Sequence, residues 1–98
     1  MIEHMVWAKF HPGVSARRRE ELLTAIAELK DRIDVVVDLK VGPAVGGDSG
    51  YTHGWTVTLA GMDDLASYMD HPAHQAIGPA VAEAAEMVKL DVEFPAER

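Results

Sequence analysis

The side chains of this chain that are best suited to acid–base chemistry are three histidines and a tyrosine. Histidine has an unperturbed pKa of about 6.5, so it can take up or release a proton near neutral pH. His4 and His53 lie among alternating apolar residues, whereas Tyr68 and His74 lie among apolar residues at helical spacing. A buried tyrosine hydroxyl can orient a carbonyl or enolate oxygen while an imidazole moves the proton. In one apolar cavity, these groups would form a general acid–base site.

Helical spacing predicts which way two of these side chains face. Val81 follows His74 by seven residues, which places it only ~20° away around a helix of 3.6 residues per turn, and Ile77 is ~60° away. His74 therefore shares the apolar stripe of its helix and is expected to face the sheet. Tyr68 follows Leu65 by three residues, which places it on or beside the inward face.

Each of these residues also has a purely structural interpretation. A single buried histidine is usually a hydrogen-bonded core residue, and a lone tyrosine is usually a core aromatic with its hydroxyl at the rim. Several buried polar groups in one small core would each need a partner, which favours a functional site. His71 and His74 are spaced as a metal-binding pair that His4 or His53 could complete. Pro72 separates that pair and His71 is expected in the turn, so no metal is assigned.

The glycine-rich segment 42–50 does not read as a nucleotide-binding loop. It lacks the Lys-Ser/Thr ending of a phosphate loop, and it precedes a strand rather than a helix. A flexible connection is the favoured interpretation, with a substrate lid as the alternative. No cofactor is predicted.

The elements that would position these residues follow from hydrophobic periodicity. Strands are predicted over 2–10, 35–41, 51–59 and 88–94, and the first helix is predicted over 16–32 with Ser15 as its N-cap. Asp63 or Asp64 is predicted to cap a short helix, and a further helix runs from Pro72 to about Met87, with a kink or break at Gly78-Pro79. This order predicts an α+β, ferredoxin-like βαββαβ protomer, in which an antiparallel four-stranded sheet carries the helices on one face. At 98 residues, positions 1–98 form a single domain.

The first strand is apolar on both faces. Ile2, His4 and Val6 alternate with Met5 and Trp7, so the second face is not expected to meet bulk water. In so short a chain a second copy is a strong candidate for covering it, and a homodimer is predicted.

Composition excludes several classes of protein. Nine basic residues against 16 acidic residues give a net charge of −7, which disfavours nucleic-acid binding. The chain has no cysteine, which excludes a thiol nucleophile and a disulfide scaffold. It also has no apolar run long enough for a membrane span and no basic-then-apolar leader, so a cytoplasmic protein without membrane contact is expected.

Several segments together resemble the stress-responsive α/β-barrel domain family. They are the opening 2–10 followed by Pro12-Gly13, the segment 50–53, the segment from Tyr68 to His74, and the terminal Val92-Glu93-Phe94. The resemblance implies a ferredoxin-like protomer, a homodimer whose two sheets close into a barrel, and a pocket between sheet and helices.

One branch of that family, a plant polyketide cyclase, closes a linear poly-β-ketone by aldol chemistry. The resemblance carries its catalytic pair onto Tyr68 and His74, and its pocket histidines onto His4 and His53. The sequence departs from that branch at Ile26, where the cyclase has a tyrosine, at Leu22 and Leu23, which replace aromatics, and at Val92, where the cyclase has an aspartate.

The resulting prediction is a dimeric barrel protein with a small apolar pocket. His74 would be the general base and Tyr68 would position the oxygen in an aldol-type cyclisation of a polyketide-like carbonyl compound. The predicted ligand-binding residues are His4, His53, Val6, Leu23, Ile26 and Ile77. The alternative is a non-catalytic, stress-responsive dimer that binds a small apolar or carbonyl ligand or has only a structural role.

Overall fold

The four strands and three helices follow one another in the predicted order. The computed structural model describes residues 1–95. Its elements are β1 (Ile2–Phe10), α1 (Ala16–Arg32), β2 (Asp38–Pro43), β3 (His53–Leu59), α2 (Met62–Asp70), α3 (Pro72–Ala84) and β4 (Ala85–Glu93). The strands form one antiparallel sheet in the order β2-β3-β1-β4. The α+β, ferredoxin-like architecture is therefore confirmed.

The two faces of the sheet have different surroundings. The inward face of β1 presents Ile2, His4, Val6 and Ala8, which are all buried. They pack against the apolar stripe of α1, whose side chains Leu22, Leu23, Ile26 and Leu29 are buried in the same core. Burying one such aliphatic side chain contributes about 1.5–3 kcal/mol, so this layer dominates the stability of the fold.

The opposite, outer face of the sheet has an apolar half and a polar half. Trp7 and Leu90 leave 52% and 57% of their surface exposed there. On the polar half, the carboxylate of Glu3 accepts hydrogen bonds from the hydroxyls of Thr56 and Thr58, at 2.7 and 2.9 Å. No helix packs on this face within residues 1–95.

Helix α1 agrees with its prediction at both ends. The Ser15 hydroxyl accepts a hydrogen bond from the backbone N–H of Arg18 at 3.1 Å, which satisfies one of the free donors of the first turn.

Three strands have boundaries that differ from the predicted ones. The second strand begins at Asp38 rather than at residue 35, because the N–H of Val36 bonds back to the carbonyl of Ile33 and closes a turn. The third begins at His53 rather than at residue 51. The fourth runs over Ala85–Glu93 rather than 88–94, because β1 pairs with it from end to end, up to Phe10 opposite Ala85.

Helix α3 continues through Pro79, so of the predicted kink or break the break does not occur. Proline removes one backbone donor, but Val81 and Ala84 beyond it are buried in the core and hold the last turn in place. The helix ends at Ala84 rather than near Met87, because the next residues hydrogen-bond to β1. None of the helices described here is long and apolar enough to cross a membrane.

Candidate active site between the sheet and helix α3

A small cavity of about 50 Å³ lies between the inward face of the sheet and the helices. Its polar lining consists of His4, Tyr68, His74 and Lys89, and its apolar lining includes Val6, Ile26, Trp55 and Ile77. The predicted catalytic pair and four of the six predicted ligand-binding residues, His4, Val6, Ile26 and Ile77, are therefore brought together here.

Tyr68 and His74 are adjacent across the junction of α2 and α3. Their ring centroids are 5.0 Å apart with an interplanar angle of 64°. The junction is fixed by two hydrogen bonds: Nδ1 of His71 accepts from the N–H of Ala73 at 3.0 Å, and the side-chain amide of Gln75 donates to the Met69 carbonyl at 2.9 Å. His71 is thus the N-cap of α3, in the turn before Pro72 where it was expected.

One ring nitrogen of His74, Nδ1, is buried beside the cavity without a hydrogen-bond partner among the described residues. Burial lowers the pKa of His74 below its ordinary value of 6.5, and the nearby His4 and Lys89 lower it further, against a smaller opposing effect of the Met69 carbonyl. The ring is therefore neutral at pH 7 and able to accept a proton.

Tyr68 has the complementary protonation state. It is one of the most deeply buried side chains, and this burial raises its pKa to about 12. Its hydroxyl keeps its proton throughout the physiological range. A protonated hydroxyl beside a neutral imidazole can donate a hydrogen bond to an oxygen on which negative charge develops.

His4 is held by a carboxylate from the neighbouring edge strand. His4 and Asp91 lie directly opposite each other in the β1–β4 register, and the His4 Nδ1 lies 2.5 Å from the Asp91 carboxylate oxygen. The His4 ring also lies 5.9 Å from the Tyr68 ring. This hydrogen bond gives the buried His4 imidazole a partner where it lines the cavity.

Asp91 is the functional residue that the sequence interpretation missed. The sequence interpretation noted only that Val92 stands where the cyclase branch has an aspartate, and it did not consider the neighbouring Asp91. The signal was present in the strand, because Asp91 alternates with Lys89 and Met87. Val88 and Leu90 lie on the other, more apolar face of this strand, which alternation alone would predict to face the core. In the structure that face points outward.

His53 and Leu23 lie elsewhere, and their predicted place in this cavity is wrong. His53 is paired with Ala8, four residues along β1 from His4, which corresponds to about 13 Å at the rise of a strand. Its ring packs edge-on against Phe10 at 5.5 Å, and burial and the positive charge of Arg19 lower its pKa. His53 and Leu23 line a separate hollow of about 330 Å³ beside α1 and β2. Side-chain alternation identified the correct face of β3 but not the position along it.

Residues that could hold a metal ion are not gathered in this structure. Within residues 1–95 there is no group of three or more histidine, aspartate or glutamate side chains with suitable geometry. His71 and His74, the pair considered as ligands, have different surroundings, since His71 caps α3 and His74 faces the cavity.

The sequence and fold place this chain in a known family. It belongs to the stress-responsive A/B barrel domain family, whose sequence profile matches residues 2–94. It is 33% identical over 76 residues to a stress-response A/B barrel domain-containing protein of Arabidopsis thaliana, HS1, with 74% of this chain and 70% of that protein covered. It is 28% identical over 80 residues to olivetolic acid cyclase of Cannabis sativa, with 79% of each chain covered.

Solved structures show the same architecture. A crystal structure of an Arabidopsis thaliana protein superposes with a TM-score of 0.88 at 25% identity, covering 100% of this chain and 99% of that one. A hydroxynitrile lyase from Passiflora edulis superposes with a TM-score of 0.87 at 17% identity, covering 96% of both chains. A dimeric ferredoxin-like protein of unknown function from Thermobifida fusca superposes with a TM-score of 0.83 at 24% identity, covering 95% of this chain and 90% of that one.

Proposed function

We propose that this protein is a homodimeric A/B barrel enzyme that transfers protons on a small carbonyl compound, as in an aldol-type cyclisation. One observation carries the proposal: a neutral imidazole with a free Nδ1 lies beside a protonated tyrosine in an apolar cavity. The similarity to olivetolic acid cyclase supports the same chemical class at 28% identity.

The proposed reaction uses His74 and Tyr68 in sequence. His74 removes a proton from the carbon next to a carbonyl, and the C–H electron pair moves onto the carbonyl oxygen to form an enolate. Tyr68 donates a hydrogen bond to that oxygen. The enolate carbon then bonds to a second carbonyl carbon, and the resulting alkoxide takes the proton from the His74 imidazolium. Atoms and charges balance, and His74 returns to its neutral form.

His4 supports this cycle from the sheet side. It is held by Asp91, and it is the second of the three causes that lower the pKa of His74. His4 therefore helps to keep His74 in its neutral form, and it supplies a further polar group to the lining of the cavity. We assign His4 and Asp91 as positioning residues.

The cavity limits the size of the reacting group. A water-sized site needs about 10–15 Å³ of such volume, so about 50 Å³ holds only a few non-hydrogen atoms. The reactive end of a short β-ketone fits this space, and any remainder of the substrate would extend out of it. Aliphatic Ile26 in the lining is consistent with a substrate different from that of the cyclase branch.

The test is turnover of a panel of short β-ketones by the parent protein, His74→Ala and His11→Ala. Loss of the general base is expected to lower kcat/KM by about 10²–10⁴-fold. His11→Ala is the matched control because His11 is exposed at the end of β1, and its activity should equal that of the parent. A parent protein that binds these ketones saturably without turnover, with His74→Ala changing affinity alone, would favour the non-catalytic alternative.

The homodimer is proposed from the outer face of the sheet. In the β1–β4 register Trp7 lies opposite Val88 and Met5 lies opposite Leu90, which makes one continuous apolar patch. Val88 and Leu90 leave 45% and 57% of their surface exposed, and a contiguous exposed apolar patch of this kind marks an interaction site. The Thermobifida fusca structure of the same fold is dimeric, which supports a second copy as the occupant.

A further inference from the structure

Lys89 is the one lining residue of the cavity that is both charged and without an ionic partner in the described chain. It lies opposite Val6 in the β1–β4 register, two pairs along from His4 and Asp91. Directly opposite residues of antiparallel strands share a face, so Lys89 projects to the same side of the sheet as His4. It is exposed, whereas Tyr68 and His4 are buried, so it stands at the mouth of the cavity.

The charges around the mouth leave a local positive site in an acidic protein. Asp91 is engaged by His4, and no carboxylate among residues 1–95 lies within 4.0 Å of the Lys89 ammonium group. The remaining lining is apolar or neutral, apart from His4 in its ion pair. The molecule as a whole carries a net charge of −7, so the positive charge of Lys89 is opposite in sign to that of the protein.

We infer that Lys89 binds the carboxylate of an oxo-acid substrate whose ketone lies between Tyr68 and His74. The inference rests on the proposed function, because it names the substrate class of the same cavity. The volume of about 50 Å³ leaves room for the ketone end, and the charged end would remain at the mouth, where water still reaches it. An ammonium group there binds a carboxylate without a large desolvation cost.

The position of Lys89 also links recognition to chemistry. Its positive charge already contributes to lowering the pKa of His74. A bound carboxylate would offset part of that charge and raise the proton affinity of His74 while the substrate is present. The site would then hold its base neutral when empty and strengthen it when the oxo-acid is bound.

The test compares levulinate, which has a ketone and a carboxylate, with methyl levulinate, which has the ketone alone. Binding is followed by heteronuclear NMR, and deuterium exchange next to the ketone is read in the same D2O samples. The variants are Lys89→Met, which keeps the aliphatic stem, Lys89→Arg, which keeps the charge, and Arg17→Met, which removes an equal charge from the exposed side of α1.

We expect the parent to bind levulinate about tenfold more tightly than its ester, with Lys89→Met removing that preference and leaving ester binding within twofold. Lys89→Arg and Arg17→Met should retain it. Equal binding of acid and ester by the parent, a parallel loss for both in Lys89→Met, an equal effect of Arg17→Met, or no binding of either would overturn the inference. Preference for the acid without any deuterium exchange would overturn the proposed function and leave this inference standing.

Discussion

The hydroxyl of Tyr68 is the group that the cavity offers to a developing negative charge. Tyr68→Phe keeps the ring and its packing and removes only that donor. Because the hydrogen bond strengthens as the enolate forms, we expect kcat to fall by about 10²–10³-fold with little change in KM. Steady-state kinetics with a turned-over β-ketone measures both. An unchanged kcat would remove Tyr68 from the reaction and leave it as a core aromatic.

The protonation states of the pair predict a one-sided pH profile. His74 must be neutral to accept a proton, and its pKa lies below 6.5, so kcat/KM should rise with pH only through the acidic range. Tyr68 must be protonated, and its pKa of about 12 keeps it so to high pH. The profile should therefore be flat from neutrality upwards. A profile that still rises between pH 7 and pH 9 would contradict a neutral His74 in the free enzyme.

The contact between His4 and Asp91 predicts a specific effect on stability. Asp91→Ala leaves the buried His4 Nδ1 without a partner, which should lower the free energy of unfolding by about 1–3 kcal/mol. Glu93→Ala is the matched control, because Glu93 is an exposed carboxylate on the same face of β4 with no hydrogen bond in the described structure. Urea denaturation compares the two. Equal losses would mean that the ion pair adds nothing beyond strand propensity.

The residues of the site were only partly predictable from the sequence. The orientation of His74 followed from a seven-residue helical register, and that of His4 from alternation in a strand with one buried face. The position of His53 relative to His4 is set by the register between β3 and β1, and alternation within one strand does not report that register. Asp91 was missed because its strand turns its apolar side outward.

At the level of elements, the absence of a side chain at Gly78 leaves the space that the His74 imidazole occupies beside α3. A Cβ at Gly78 would lie 3.5 Å from Cε1 of His74, which is an ordinary contact. Gly78→Ala should therefore be tolerated and should stabilise α3 by about 0.5–1 kcal/mol through helix propensity. Gly78→Val adds methyl groups against the ring and should lower kcat/KM while the protein stays folded.

Ala82→Val is the control for the valine substitution, because Ala82 lies on the exposed side of α3 and valine has the same propensity there. Thermal unfolding of the three variants measures their stability, and β-ketone turnover measures the effect of each substitution on kcat/KM. A Gly78→Val enzyme as active as Ala82→Val would show that the ring position is unimportant.

The order and type of the elements were predictable because each amphipathic pattern has one clear period. Their boundaries were not, and β4 shows why. Residues 85–87 follow a helical pattern without interruption in the sequence, but β1 offers them unpaired backbone groups along its whole length. Pairing over nine residues outweighs local helix propensity, and no local signal reports the length of the partner strand.

At the level of the whole molecule, the proposal that the apolar half of the outer sheet face forms the dimer interface can be tested by substitution. Trp7→Glu places a charge in the proposed interface, where it would have to be desolvated, so the variant should be monomeric or insoluble. Met62→Glu is the control, because Met62 is 60% exposed at the start of α2, away from that face. Size-exclusion chromatography with light scattering gives the mass of each. A stable Trp7→Glu dimer would exclude this face as the interface.

The central claim is that His74 removes a proton from carbon inside the cavity. Its most direct measurement is the exchange of hydrogen for deuterium next to the ketone of small β-ketones in D2O, because exchange needs no knowledge of the final product. We expect catalysed exchange by the parent and by His11→Ala, and a loss of about 10²–10⁴-fold in His74→Ala. Exchange by His74→Ala at the parent rate, or ketones bound in the cavity by the parent without any catalysed exchange, would contradict it.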